Sequence, residues 1–196
     1  VRILKEVDLI AAEDTRNTGL LLSRFNISKP LVSYFEHNKR ERGEYIVSRL
    51  LQGESCALVT DAGMPAISDP GEDLVALCAL RGVPVTAVPG CCAAVTALVL
   101  SGLSTGRFVF EGFLTTSKSD RHHRLEELAD EVRTMIFYEA PHKLRKTLAD
   151  MEGAFGGTRK ITLCRELTKL NEEIIRTTLQ EAVQMYAEKD PRGEYV

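Results

Sequence analysis

The sequence predicts an α/β protein made of two αβα domains with mostly parallel or mixed sheets. Three observations carry this. Short apolar runs that read as strands alternate with longer stretches of helical periodicity, the pattern of parallel sheets covered by helices. Turns containing Gly and Pro follow two of the strands directly, at TDAGMPAISDPG (60–71) and VPGCC (88–92). The alternation then restarts after a small polar break, LSTG at 103–106, which places the domains at 1–105 and 106–196.

In the first domain, residues 7–13 (VDLIAAE) read as a buried strand, and DTRNT as a helix start with Asp14 or Thr15 at the N-cap. TGLLLSRF continues that helix and LVSYF is a second strand. Residues 39–52 set Tyr45, Ile46, Leu50 and Leu51 among charges, an amphipathic helix. CALVT (56–60) is a third strand, DLVALCALRG a helix closed by Gly82, VPVTAV (83–88) a fourth strand, and AAVTALVLSG a helix closed by Gly102. In the second domain RFVFEGF, TMIFYE and KITLCREL read as strands. SDRHHRLEELADE, PHKLRKTLADM and LQEAVQMYAEK read as helices, and GEYV as the beginning of a strand. The chain starts without Met and lacks the strand that would normally open the first domain, and GEYV breaks off as it begins, so the sheets are expected to be incomplete at both ends.

The 196 residues are 44% hydrophobic and 27% charged, the composition of a soluble globular protein and not of a disordered one. No apolar run reaches the ~18 residues of a membrane span. VRILKEVD is neither a signal nor a transit peptide. Cys56, Cys78, Cys91, Cys92 and Cys164 form no CxxC pair and no metal-type spacing with the four His residues. They read as reduced, mostly buried thiols of a cytoplasmic protein, with no metal and no membrane partner expected. The net charge of -3 gives no global footprint for nucleic acid, so any attraction to RNA has to be local.

Five turns carry the candidate chemistry. In open parallel sheets, ligands bind beyond the carboxyl ends of the strands. TDAGMPAISDPG lies there: Gly63 permits positive φ or close backbone approach to a ligand, and Pro65 stiffens the loop. Asp69, Pro70 and Glu72 fit N-cap, N1 and N3 of the next helix, so Asp69 reads as a cap in preference to a catalyst. Asp61 is either a turn-former or a functional carboxylate. The loop has neither GxGxxG nor GxxxxGK. VPGCCAAVTAL (88–98) opens a helix with small residues, which suits either a ligand near the amides or tight packing on the sheet. In EDTRNT (13–18), Arg16 stands where a phosphate or carboxylate would be gripped bidentately. FYEAPHK (137–143) ends a strand with Tyr138 and Glu139, and Glu139 is either functional or a cap. CRELTKLNEE (164–173) gathers Arg165, Glu166, Lys169, Glu172 and Glu173, by default a solvated loop.

In this order, the five segments resemble the ribosomal RNA small subunit methyltransferase I family of the tetrapyrrole methylase superfamily, the class III methyltransferases. The resemblance covers essentially the whole chain. It implies an inter-domain cleft holding S-adenosylmethionine, a homodimer, and methylation of the ribose 2′-hydroxyl of a cytidine in small-subunit (16S) rRNA of the 30S particle. Carried over, the cofactor turns are Gly63, Met64, Pro65, Ala66, Ile67 and Ser68; then Cys91, Cys92 and Ala93, where relatives tend to have Ser or Pro; then Tyr138, Glu139 and Ala140. The family's N-terminal strand with its Pro-Ile-Gly-Asn-Leu turn is absent, and the family continues past GEYV. Two other readings stand beside this one: a sibling methylase acting on uroporphyrinogen or precorrin, and a non-catalytic ribosome-binding module. EDTR and FYEAPHK favour the RNA branch, and the intact 60–71 loop favours an enzyme.

Methyl transfer needs positioning and, for a ribose hydroxyl, a base or polarising group. By position the candidates are Asp61, Glu139, Arg16, Glu166 and Lys169. For RNA contact the candidates are Lys39, Arg40 and Arg42 in KRERGEY, and Lys118, Arg121 and Arg124 in SKSDRHHR, each alternatively part of a solvated helix.

Overall fold

Strand β1 (Leu9–Ala12) is apolar at every position, and all four residues are fully shielded from solvent. The computed structural model describes every residue from Val1 to Val196. Contacts divide the chain into two compact units, Val1–Cys91 and Cys92–Val196. No helix is long and apolar enough to cross a membrane.

The first unit runs α1 (Arg2–Glu6), β1, α2 (Thr15–Arg24), β2 (Leu31–Ser33), α3 (Lys39–Leu50), β3 (Cys56–Val59) and α4 (Glu72–Leu80). The three strands are parallel in the order β2-β1-β3, with Ile10 opposite Leu31 and Ala11 opposite Leu58. Successive side chains of β1 point to opposite faces. Ile10 packs with Val7, Leu22 and Ile27 on the α2 side, and Ala11 with Tyr34, Ile46, Val47, Leu74 and Cys78 on the α3–α4 side. Asp14 caps α2 as expected, accepting the Arg16 amide at 2.8 Å.

Two expectations fail here. VPVTAV is not a strand: no neighbour pairs with it, and Val85 and Val88 are exposed. Asp69 is not the cap of α4. The helix begins two residues later than Pro70, with Gly71 in the cap position at φ 147°.

The second unit runs α5 (Ala93–Ser101), β4 (Phe108–Phe113), α6 (Lys118–Glu127), β5 (Thr134–Tyr138), α7 (Pro141–Phe155), β6 (Lys160–Arg165), β7 (Glu173–Thr178) and α8 (Leu179–Glu188). β4 and β5 are parallel, and β6 and β7 antiparallel. Residues 194–196 stitch the two pairs together. Tyr195 exchanges backbone hydrogen bonds with Glu139 on one side, while Glu194 and Val196 pair with Glu166 and Cys164 on the other. One face of these strands meets α6, α7 and α8 through Leu125, Leu144, Leu148, Leu163, Leu179 and Tyr186. The other meets α5 through Ala94, Leu98 and Ile136. Arg176 of β7 reaches the end of α5, donating from Nε to the Ser101 carbonyl at 3.1 Å. Helix α5 therefore falls in the second unit, whereas a boundary at 105/106 would assign it to the first.

A methyl group at Gly71 would lie 2.7 Å from Leu58 Cδ2 and 3.0 Å from Ala66 Cβ, on a backbone that L residues rarely adopt. Gly71→Ala should lower unfolding free energy by about 2 kcal/mol or more, measured in urea, because strain and a clash with the β3 side chain add.

Candidate functional site

Parallel pairing brings the carboxyl ends of β1 and β3 to one edge of the first unit. Glu13 follows β1, and Thr60 and Asp61 follow β3. The Thr60 hydroxyl donates to Glu13 Oε2 at 2.5 Å, and the Asp61 amide approaches the same oxygen at 3.4 Å. The exposed Asp61 carboxylate accepts from Asn17 Nδ2 of α2 at 2.7 Å. Asp69 is half-buried, bonded to Thr60 and close to Glu13 and Asp61. Burial first, then the neighbouring Glu13 carboxylate, raises its pKa above the ordinary Asp value. Arg16 points outward and closes a two-point pair on Asp14, at 3.1 and 2.6 Å, which holds the Asp14 carboxyl down at about 2. Sequence reasoning named Arg16 and Asp61 but passed over Glu13 and Asn17. Their four-residue spacing across a strand–helix turn was the available signal.

The loop after β3 is bent at three positions. Gly63, Ala66 and Ser68 have φ of 82°, 68° and 60°. Two of these are not glycine, and such strain gathers where backbone is shaped for a ligand. The Ile67 amide donates to the Met64 carbonyl at 3.3 Å, closing a tight turn around Pro65. The space beside Gly63 is open except for the Cys91 carbonyl, 3.9 Å from where a Cβ would sit. The fold thus brings two of the sequence-picked turns together, with the Cys91 carbonyl facing the backbone at Gly63. Cys91 is exposed. Burial raises the pKa of the Cys56, Cys78 and Cys164 thiols, as for inert cysteines.

In the second unit Cys92 and Ala93 open α5, and the Tyr138 hydroxyl accepts from the Ala94 amide at 3.0 Å. Phe110 and Phe113 meet the Tyr138 ring edge-on, with centroids 5.1 and 5.5 Å away. The start of α5 and the end of β5 are therefore tied through one side chain. Glu139 is buried. One carboxylate oxygen accepts from the Ala140 amide at 2.9 Å and the other from the Thr147 hydroxyl. Arg121 donates to Thr147 Oγ1 at 2.7 Å and to Asp150 Oδ2 at 2.6 Å. Glu139 thus holds the turn at Ala140 in place.

The remaining candidates divide. Lys169 is pinned by Glu194 at 2.7 Å and Glu166 at 3.0 Å; these partners raise its pKa and keep it protonated, so it is no general base. Arg121 is not an RNA contact: its side chain is only 6% exposed and committed to α7. Arg124 forks onto Glu111 at 2.9 and 2.8 Å and also meets Glu127. Lys39 lies between Glu36 and Asp73. Arg40, Arg42 and Lys118 are exposed.

Parallel strands whose carboxyl ends carry a strained, glycine-bearing loop suit a ligand held beyond the sheet edge, and comparison with known proteins places the chain in the tetrapyrrole methylase class. The family model described as Tetrapyrrole (Corrin/Porphyrin) Methylases matches residues 1–183. A cobalt precorrin-4 methyltransferase shares the fold with TM-score 0.64 at 16% identity, covering 99% of this chain and 84% of its own. Uroporphyrin-III C-methyltransferase from Thermus thermophilus, solved with S-adenosylhomocysteine, does so with TM-score 0.61 at 20% identity, covering 99% and 86%. Ribosomal RNA small subunit methyltransferase I of Synechocystis is 49% identical over 195 residues, covering 100% of this chain and 70% of the relative. The Halalkalibacterium halodurans protein of the same name is 51% identical, covering 100% and 67%. The chain belongs to the ribosomal RNA small subunit methyltransferase I family and is an S-adenosylmethionine-dependent methyltransferase.

Two outcomes follow from the polar contacts. Asp69 has a raised pKa, so its protonated form is favoured in the fold and its ionisation destabilises the fold as pH rises past that value. Asp69→Asn should raise the melting temperature at pH 7, and the gain should vanish below about pH 4, where wild-type Asp69 is itself protonated. Arg121→Met leaves Asp150 and Thr147 without their donor, and should lower stability by about 2 kcal/mol in chemical denaturation.

Proposed function

We propose that this chain transfers the methyl group of S-adenosylmethionine to the ribose 2′-hydroxyl of a cytidine in small-subunit (16S) rRNA, acting on the 30S particle in the cytoplasm as a homodimer. The observation that carries the reading is the bent loop from Gly63 to Ser68 at the carboxyl end of β3, with the Cys91 carbonyl facing Gly63. Its backbone fits a ligand held by main-chain groups, as the family's cofactor is. The proposed cofactor contacts are Gly63, Met64, Pro65, Ala66, Ile67, Ser68 and Cys91 in the first unit, and Cys92, Ala93, Tyr138, Glu139 and Ala140 in the second.

When bound, S-adenosylmethionine supplies a sulfonium methyl group open to in-line displacement. The chain's own part is to hold the acceptor and manage its proton. Asp61 is the proposed general base: its carboxylate is exposed at the sheet edge, and Asn17 fixes one of its oxygens. The other candidates are committed elsewhere: Glu166 to Lys169, Arg16 to Asp14, and Glu139 to Thr147 and Ala140. Glu13, holding the Thr60 hydroxyl, sets the backbone from which Asp61 projects.

Gly63→Val should abolish S-adenosylmethionine binding in calorimetry. Gly53→Val, at another positive-φ turn of the same unit with φ 93°, carries the same backbone penalty and should leave binding intact. Equal affinities in the two variants would remove the loop from the cofactor site. Asp61→Asn should reduce the methylation rate of 30S particles by about 10²-fold or more with cofactor affinity unchanged. Methylation of uroporphyrinogen in place of 30S particles would instead assign the tetrapyrrole substrate. A monomeric mass in light scattering would count against the dimer.

A further inference from the structure

An acidic protein meets a polyanion through a local cluster of cations that its own carboxylates have not neutralised. Helix α6 does not offer one, since Arg121 is buried and Arg124 is clamped by Glu111 and Glu127. The start of α3 offers Arg40 and Arg42 beside a Lys39 held between two carboxylates.

The far end of the second unit's sheet is different. β4 and β5 run parallel, and β5 and β6 are each antiparallel to Tyr195, so all three begin at one edge. Arg107 immediately precedes β4, Arg133 precedes β5, and Arg159 and Lys160 stand at the start of β6. Arg107 and Arg133 line an open cavity of about 270 Å³ with Ser104, Gly106 and Val132. The side chains of Arg107 and Lys160 are exposed and make no hydrogen bond or ion pair. Arg159 is preset: its guanidinium lies 5.8 Å from the Phe155 ring centroid and donates to the Glu131 carbonyl at 2.8 Å. The carboxylates near this edge are Asp130, Glu131, Glu152 and Glu181: Glu131 is taken by Arg133 at 2.9 and 2.6 Å, and Glu181 by the Thr177 hydroxyl and Thr178 amide at 2.6 and 3.1 Å. Arg107, Arg159 and Lys160 form no ion pair with any of these carboxylates.

We propose that this edge, centred on Arg107 with Lys160, is a phosphate-binding site for the backbone of the RNA substrate. The assignment rests on small-subunit rRNA being that substrate. Arg107, unpaired at the mouth of a polar cavity, has a free fork for two phosphate oxygens. Lys160 adds a second charge at the start of β6, three strand positions from Arg107, or about 14 Å at the spacing of neighbouring strands. The Glu131–Arg133 pair, with Arg159 on the Glu131 carbonyl, sets the loop that forms the cavity wall. A strand of six residues separates this edge from the turn at Tyr138, about 20 Å, which a structured RNA spans while its reacting ribose lies elsewhere. Contacts of this kind fix position and add affinity without reading bases.

The test is the double variant Arg107→Glu/Lys160→Glu in the full chain, with folding verified by its melting curve. Affinity is measured for protein-free small-subunit rRNA and for 30S particles across a salt series. Binding to both should weaken roughly tenfold at low salt, and the log–log salt slope should become shallower by about 1–2, the loss of one or two phosphate contacts. S-adenosylmethionine affinity should stay at the wild-type value, and Arg107→Lys/Lys160→Arg should restore most RNA binding. An unchanged salt slope overturns the proposal. A loss on 30S particles with none on protein-free rRNA also overturns it, assigning the edge to a ribosomal protein. Wild-type protein that binds neither RNA overturns the substrate reading and this site with it, whereas wild-type methylation of 30S particles with an unaffected double variant overturns the site alone.

Discussion

Burial of β1 governs what the first unit presents to a ligand. Its four residues are covered on both faces and hydrogen-bonded on both edges. Shielding Leu9 and Ile10 is worth about 1.5–3 kcal/mol each. A slip of one residue would exchange the places of Ile10 and Ala11, driving the larger side chain into the α3–α4 layer. The register is therefore closely specified, and with it the point at which Glu13 and Asp14 leave the sheet. From that point the Glu13–Thr60 and Asn17–Asp61 hydrogen bonds can form only one way.

The second unit secures its turn at Ala140 by a different means. A buried carboxylate without partners would lose several kcal/mol of hydration. Glu139 avoids this through the Ala140 amide and the Thr147 hydroxyl, and Thr147 is in turn fixed by Arg121. The same contacts dock α6 on α7 and set the backbone that follows Tyr138. Backbone pairing of Tyr195 with Glu139 anchors the turn from the other side.

Local signals in the sequence correspond closely to the elements they describe. The strand at Leu9–Ala12, the cap at Asp14, the helix from Pro141 and the closure of α5 at Gly102 all follow from residue type and spacing. Non-local pairing was less legible. The strand at Glu173–Thr178 has no predicted element beyond Glu173, the last residue of the charged stretch 164–173, although Ile174, Ile175, Thr177 and Thr178 are β-branched; its ladder with β6 is what identifies it. VPVTAV has the composition of a strand and no ladder at all. Arg121 sits among charges as solvated helix residues do, and its partner Asp150 is on another helix, so its burial leaves no trace in the local pattern. Asp69 fits a capping pattern, yet the closure of the preceding loop gives the cap to Gly71. At the site the turns themselves were readable from Gly, Pro and strand ends. The division of labour among the carboxylates was not, because it depends on hydrogen bonds across separate strands.

The position of Tyr138 has a spectroscopic consequence. The chain has no tryptophan and five tyrosines, so its near-ultraviolet dichroism and intrinsic emission come from tyrosine and phenylalanine. Tyr34, Tyr186 and Tyr195 are sealed within the two cores, and Tyr45 lies on α3 beside Arg49. Tyr138 sits at the head of α5 in an edge-on array with Phe110 and Phe113, where asymmetric ring packing generates strong optical activity. The protein therefore carries a built-in chromophore at one of the turns proposed to hold the cofactor, with no indole background to mask it.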